Sequence, residues 1–518
     1  MEGTTPSFEW LHKYVRHTRF LLGGTEICVN VRRRPWPKGV PGLVPIHEVD
    51  RVTRPSHSGT TDATSSPWSR RALVRAGVAG GLGVSLPTLL RADTATGQSP
   101  KSCIFIHQYG GLSQLDSWDP KPQAPQEVRG PYQPIATATP GIFVGELMPQ
   151  LARLSQDYAI IRSMTHRVPV HDVANRMLLA GQSLPTQDAP AFGSIVSKLR
   201  PVDAAVPPYV WLQKFGGGAM PPEASYLTGG FLGMAHAPVL IGNTHDDHPA
   251  TPGFRVRAFD PVEGVTASRL QLRQSLLNEM DRALSMPQQR EQFVEFQATQ
   301  SRAFDLLQGP TARKAFDIEQ ERPETRDRYG RHPLGQNLLM ARRLIESGVR
   351  LVSVVAWMGL APSEKFVSVE SWDMHGNAGI SIFENGWNGL GWALPKCDEA
   401  VAALLSDLRE RGLLDSTLVV LIGEFGRTPR ISRGAGAIGR DHWPNCYSAM
   451  VAGGGVRGGQ VYGTSDSQAA YVSNRPVTLE DFTATMLHTL GIDPTTRLSP
   501  DGFSRPASSG EIVHDLLR

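Results

Sequence analysis

From Lys101 onward the chain alternates short apolar runs with longer stretches in which apolar residues recur every three to four positions. A short apolar run bounded by turn residues reads as a buried strand, and the longer periodic stretches read as helices with one buried face. Cys103 to His107, Tyr158 to Ile161, Tyr209 to Leu212, Arg350 to Val355 and Thr417 to Ile422 are the clearest strands. Ser268 to Ala283, Leu334 to Ser347 and Lys396 to Arg411 carry the helical spacing. The last two stop at Gly348 and Gly412, and a helix starting near His171 stops at Gly181. Glycine suits a helix end because it adopts the left-handed conformation without penalty. Strands alternating with helices predict an α/β fold, a central mostly parallel sheet flanked by helices on both faces, with insertions, in one domain over 100–515. In such sheets ligands collect beyond the carboxyl ends of the strands.

The first hundred residues break this pattern. Residues 1–68 are rich in Arg, Pro, Ser and Thr and show no sustained apolar periodicity, so they are expected to be a poorly ordered extension, in keeping with an upstream translation start that is not used. Ser69-Arg70-Arg71 is followed by a weakly apolar, glycine-rich run from Ala76 to Leu90 and then by small residues up to Ala95. Basic, apolar and small segments in that order read as a twin-arginine signal peptide over 69–95. The apolar run is too short for a membrane span, which needs about 20 residues. The expected product is a folded protein exported by the twin-arginine machinery, periplasmic or otherwise outside the cytoplasm, with no stable membrane span in its mature part.

Composition adds mainly exclusions. Hydrophobic residues make up 40% and charged residues 19%, enough to build a core and far from the signature of disorder. The net charge of +3, from 52 basic and 49 acidic residues, argues against a nucleic-acid partner, which would call for a dense basic patch. Cys28, Cys103, Cys397 and Cys446 are spaced too widely for a zinc pair or a disulfide framework; Cys28 precedes the signal, and the odd number of three left after it reads as buried free thiols.

Chemistry concentrates at strand ends. Gly110-Gly111 and, beyond them, Asp116 and Asp119 follow the first strand; they suit a hard cation or a turn with capping carboxylates. His171 and Asp172 open a helix, where dipole and free N–H groups favour anions, although Asp172 also serves as an ordinary helix-start residue. Asp373 and His375, two apart, reach one metal if the chain is extended. Glu424 emerges from the most apolar strand, with Arg427 close behind and Asp441-His442 further on. A carboxylate there requires a cation, which a metal or an ion pair with Arg427 would supply.

Taken together, the Arg-Arg start, Gly110-Gly111-Leu112-Ser113-Gln114-Leu115-Asp116 with Asp119-Pro120-Lys121-Pro122, Ser163-Met164-Thr165-His166, Gly230-Phe231-Leu232-Gly233, Arg328-Tyr329-Gly330, Ala341-Arg342-Arg343-Leu344, Asp373-Met374-His375, Gly423-Glu424-Phe425-Gly426-Arg427-Thr428-Pro429, Gly439-Arg440-Asp441-His442-Trp443-Pro444, Ala452-Gly453-Gly454-Gly455 and Gly491-Ile492-Asp493-Pro494 form an ordered series. It resembles the exported bacterial domain-of-unknown-function family 1501, related to the alkaline phosphatase and sulfatase superfamily. The resemblance implies that superfamily's fold with a metal site at the strand ends. It also implies departures: Tyr109 stands where the metal-dependent members carry Asp, His171 where they carry a Ser, Thr or modified Cys nucleophile, and Glu424-Phe425 where they carry Asp-His.

The resulting expectation is an exported metal-dependent hydrolase of phosphate or sulfate esters, sulfated polysaccharide included, with an anionic small molecule or polysaccharide as its partner. A divalent ion, zinc, calcium, magnesium or manganese, would be held by Asp116, Asp373, His375, Glu424, Asp441 and His442, with Asp116 and His171 completing a second position. Water held by the metal would attack, His171 or His375 would act as base, and Arg427 would steady the developing anion. The alternative is a catalytically inactive anion- or glycan-binding scaffold that keeps the fold.

Overall fold

Eight strands form the central sheet: β1 Ser102–His107, β2 Tyr158–Met164, β3 Tyr209–Leu212, β4 Val239–Ile241, β5 Leu351–Val355, β6 Thr417–Ile422, β7 Tyr447–Ala452 and β8 Gln460–Tyr462. Their order is β8-β2-β7-β6-β1-β5-β3-β4. All pairings are parallel except the two made by β7, which runs against its neighbours β2 and β6. In this computed structural model the described residues are 17–22, 25–30, 102–202, 206–212, 229–242, 244–259, 265–284, 310–366, 369–376, 380–433, 437–498 and 503–518.

Two compact units divide the chain, Met1–Ala92 and Asp93–Arg518. In the first, the described residues make one antiparallel hairpin, His17–Leu22 with Thr25–Asn30. The expected signal at 69–95 lies outside the described residues. No helix among the described residues is long and apolar enough to cross a membrane.

Successive side chains of a strand point to opposite faces, and here both faces are covered, which is why the strands read as unbroken apolar runs. Ile104, Ile106, Val419 and Leu421 pack on one side with helices α3, Pro333–Glu346, and α4, Leu390–Glu410. Cys103, Phe105, Val420 and Ile422 pack on the other with α1, His171–Ala180, α2, Phe192–Leu199, and α5, Leu479–Thr489. Cys103, Cys397 and Cys446 are buried free thiols.

Helix α4 begins six residues before the expected Lys396 and carries Pro395 inside it. Proline reads as a helix boundary because it lacks an N–H and crowds the preceding turn. Burial of Leu390, Ala393 and Leu394 in the core offsets that cost here. Strand β7 was not expected: Ser448 and three glycines directly after Ala452 dilute its apolar signal.

Register places the site. Ile422 of β6 pairs with His107 of β1, and His107 with Val355 of β5. Three parallel strands therefore end level, and their following loops meet over one edge of the sheet.

Candidate metal centre

Beyond His107 the chain turns through Gly110, whose φ is 107°. A Cβ there would lie 2.3 Å from the backbone N of Asp373, so only glycine lets the loop after β1 pass against the Asp373 loop. A side chain on Gly439 would likewise meet the backbone of His375 at 2.0 Å. The loop carrying Asp373 is tied down by Trp372, whose Nε1 donates to the Ala356 carbonyl at 2.9 Å. His442 is set by a short antiparallel pairing in which it lies opposite Arg427. His171 is the first residue of α1.

These elements bring His171, Asp373, His375 and His442 together, with one potential ligand atom from each lying within 4.8 Å of the others. They could hold a metal ion. The Nε2 atoms of His171, His375 and His442 stand 3.2, 2.9 and 3.2 Å from Asp373 Oδ1. The Nε2 atoms of His375 and His442 are 2.8 Å apart. Behind each ring, Nδ1 faces an acceptor: Glu424 Oε1 at 2.6 Å for His171, Asp441 Oδ1 at 2.8 Å for His375 and the Pro169 carbonyl at 2.9 Å for His442. A carboxylate or carbonyl has no proton to give, so each Nδ1 carries a hydrogen, and Nε2 is the atom each ring would offer to a metal. The Nε2 atoms of His375 and His442, 2.8 Å apart and both close to Asp373 Oδ1, crowd a space that a metal ion would fill. Buried His171 Nε2 shows the same want, since it makes no well-aligned hydrogen bond.

The charges around the cluster are strongly coupled. Burial opposes ionisation of Asp373, but the Arg427 guanidinium, 2.7 Å away, and the three histidines hold its carboxyl far below the usual carboxylate range. Burial would lower the pKa of His171, yet its contacts with Asp373 and Glu424 carry it up to about 9. His442 is pushed down, chiefly by burial and then by the charges of Arg427 and His171, against the pull of Asp373. Glu424 is fully buried; despite that burial, the hydrogen bond and charge of His171 keep its pKa below the ordinary value. Phe425 packs against both the His171 and His442 rings, with centroids 4.9 and 4.5 Å away.

The other expected residues lie around this centre. Asp116 is not among the converging atoms: its carboxylate is buried against Arg440, with Nε–Oδ2 at 2.8 Å and Nη2–Oδ1 at 3.2 Å, and it also accepts from Ser113 at 2.5 Å. Glu424 sits one layer deeper, accepting from Gly110 N at 2.9 Å as well as from His171. Asp441 is more than half exposed and reaches the cluster through His375. Arg427, expected to steady an anion, is fully buried; it pairs with Asp373 rather than Glu424 and donates to the carbonyls of Gly110, Gly111 and Arg440. Asp119 pairs with Lys121 and Arg162.

Three residues for which no individual role was expected brace this centre, His166 and Asn175 among them although both fall in stretches marked as chemistry-bearing. His107 donates through Nε2 to Asn175 Oδ1 at 2.8 Å and lies 3.9 Å from Glu424 Oε2. His166 donates to the Glu424 carbonyl at 2.6 Å. A histidine closing an apolar strand and an Asn four residues into a helix from His171 were the available signals, and both look like ordinary chain punctuation.

The class defined so far is an α/β domain with a metal-competent His/Asp cluster at its strand ends. The chain belongs to the family described as Protein of unknown function (DUF1501), whose model matches residues 100–517. No curated protein matches its sequence. Among solved structures it is similar to the PsFucS1 sulfatase from Pseudoalteromonas sp., at 13% identity over 85% of this chain and 76% of that one with a TM-score of 0.37. It is similar also to the phosphonate monoester hydrolase SpPMH from Silicibacter pomeroyi, at 14% over 81% and 76% with a TM-score of 0.31. A third is a protein in the alkaline phosphatase superfamily from Vibrio parahaemolyticus, at 12% over 76% and 67% with a TM-score of 0.31.

Proposed function

We propose that the protein is an exported metal-dependent hydrolase of phosphate or sulfate esters. One observation carries the reading: all three histidines at the strand ends have Nδ1 engaged by an acceptor and Nε2 turned toward Asp373. His171, Asp373, His375 and His442 would hold the ion, which when bound polarises an ester oxygen and acidifies a water molecule. Three imidazoles and one carboxylate suit zinc or a similar first-row ion better than calcium or magnesium, which prefer all-oxygen sites.

The surrounding residues hold this centre in place. Arg427 neutralises Asp373 from below, and Glu424 fixes the ring of His171. His171 and His375, expected as bases, are better read as ligands. Attack by water then needs no protein nucleophile.

Metal analysis of the purified folded protein tests the reading, paired with hydrolysis of p-nitrophenyl phosphate and sulfate. About one zinc or manganese per chain and metal-dependent hydrolysis are expected. Folded protein that takes up no divalent ion would overturn it. The order of residues from Ser69 to Ala95 supports export by the twin-arginine route. Replacing both Arg70 and Arg71 with Lys should leave the protein in the cytoplasmic fraction.

A further inference from the structure

His166 follows the end of β2 and is 7% exposed. All of its nitrogens are engaged. The backbone N donates to the Pro444 carbonyl at 3.0 Å, Nε2 to the Glu424 carbonyl at 2.6 Å, and Nδ1 accepts from the backbone N of Val168 at 3.2 Å. An Nδ1 that accepts leaves the ring's hydrogen on Nε2, where the Glu424 carbonyl needs it, so the two ties fix one tautomer together. Tyr447 of β7 stands edge-on to the ring, centroids 5.5 Å apart.

The three ties reach three segments that build the metal centre. Pro444 lies just past His442 in the chain. Glu424 is the residue whose carboxylate takes His171 Nδ1. Val168 leads into Pro169, whose carbonyl takes His442 Nδ1 at 2.9 Å, and from there into His171 at the start of α1. Within this turn Arg167, Pro169 and Val170 are exposed, so little buried surface holds its shape and hydrogen bonds must do so. Thr165 fixes the near side, its N donating to the Val477 carbonyl at 3.1 Å and its Oγ1 to the Asn445 carbonyl at 2.9 Å. Each partner of the His166 ring nitrogens is a main-chain atom, so the ring acts on backbone position rather than on a ligand atom.

We infer that His166 is a positioning residue for the metal centre: it clips the exposed turn 167–170 to the end of β6, and so sets the Pro169 carbonyl that aims His442 and the start of α1 that presents His171. The inference rests on the metal reading for calling these histidines ligands, but the placement of the turn does not need an ion. Cobalt(II) absorption titrations in competition with a chelator test it on the wild type and on His166→Ala, His166→Asn and His166→Gln. Hydrogen–deuterium exchange of the segment 167–171 is followed in the same proteins without metal. Asn places an acceptor near the position of Nδ1 and Gln a donor near that of Nε2, so each restores one tie.

His166→Ala is expected to bind cobalt about 10–100-fold more weakly, with a changed absorption spectrum, and to exchange the segment faster while cooperative unfolding persists. The Asn and Gln variants should fall between it and the wild type, with Asn restoring the slower exchange. An alanine variant with wild-type affinity and spectrum would overturn the inference. Asn and Gln variants no better than alanine would do the same, because the ring would then only fill space. Should the alanine variant not fold, Asn and Gln variants that both bind cobalt as the wild type does would overturn it equally. Wild-type protein that takes up no cobalt would overturn the hydrolase reading, and the exchange comparison alone would then decide the role of His166. Cobalt uptake without ester hydrolysis would remove the hydrolase reading and leave the positioning role standing.

Discussion

Two buried acid–base groupings meet in sequence at Arg440 and His442, and they are built on opposite principles. Around Asp116 and Arg440 the account closes. The carboxylate takes two guanidinium contacts and one hydroxyl, and the remaining guanidinium hydrogens go to the carbonyls of Val128, Thr428 and Pro429. Around Asp373 it does not close. One carboxylate oxygen faces Arg427 and three imidazole nitrogens, two of which face each other. A saturated grouping is a structural element, while an oversupplied one is waiting for a ligand.

That contrast can be broken first at its structural pole. Arg440→Ala should leave the buried Asp116 carboxylate unpaired and destabilise the fold by about 3–5 kcal/mol, read as a lowered denaturant midpoint. Loss of metal without loss of stability would show that the two groupings had been assigned the wrong way round. At the other pole, Asp373→Asn should abolish metal uptake and hydrolysis while the cooperative unfolding transition persists. A variant that keeps its full metal complement would move the ligand set away from Asp373.

The difference between the two groupings also marks what the sequence could reveal. Strand β6 and helix α1 were legible because unbroken apolar runs and a glycine stop are local signals, and the residues they position, His171 and Glu424, were singled out with them. Asp116 and Glu424 were expected as ligands on equal terms with Asp373, since a carboxylate after a strand looks the same whatever meets it. The discriminating partners lie far along the chain: Arg440 is 324 residues from Asp116, and His171 is 253 from Glu424. Spacing cannot disclose such pairings. The inward aim of three Nε2 atoms is likewise a property of ring rotation, fixed by Asp441, the Pro169 carbonyl and Glu424, and no residue type encodes it.

Glu424 tests the boundary between the two kinds of grouping. It sits in the saturated layer yet touches a ligand of the unsaturated one. If it only orients His171, Glu424→Gln should keep the metal at stoichiometric supply while weakening its affinity by roughly 10–100-fold in competition with a chelator, the usual cost of losing such a partner. Complete loss of metal would make Glu424 itself a ligand.

The smallest effect belongs to a buried carboxylate that fits neither pole. Asp398 of α4 makes no ion pair among the described residues, though the charge of Arg153 acts on it; it accepts the backbone N–H groups of Gln150 and Leu151, at 2.8 Å each, at the start of the helix Pro149–Arg153. Burial outweighs those hydrogen bonds and raises its pKa from 3.8 to about 6. The folded state therefore binds this proton more tightly than the unfolded chain does, so its contribution to stability should fall as pH rises from 3.8 to about 6 and level off above. Asp398→Asn keeps one acceptor oxygen and removes the charge. It should erase that slope in urea titrations while changing stability at pH 7 by no more than about 1 kcal/mol. A slope that survives the substitution would place the titrating group elsewhere and leave Asp398 ionised, held by the two amide N–H groups and the charge of Arg153.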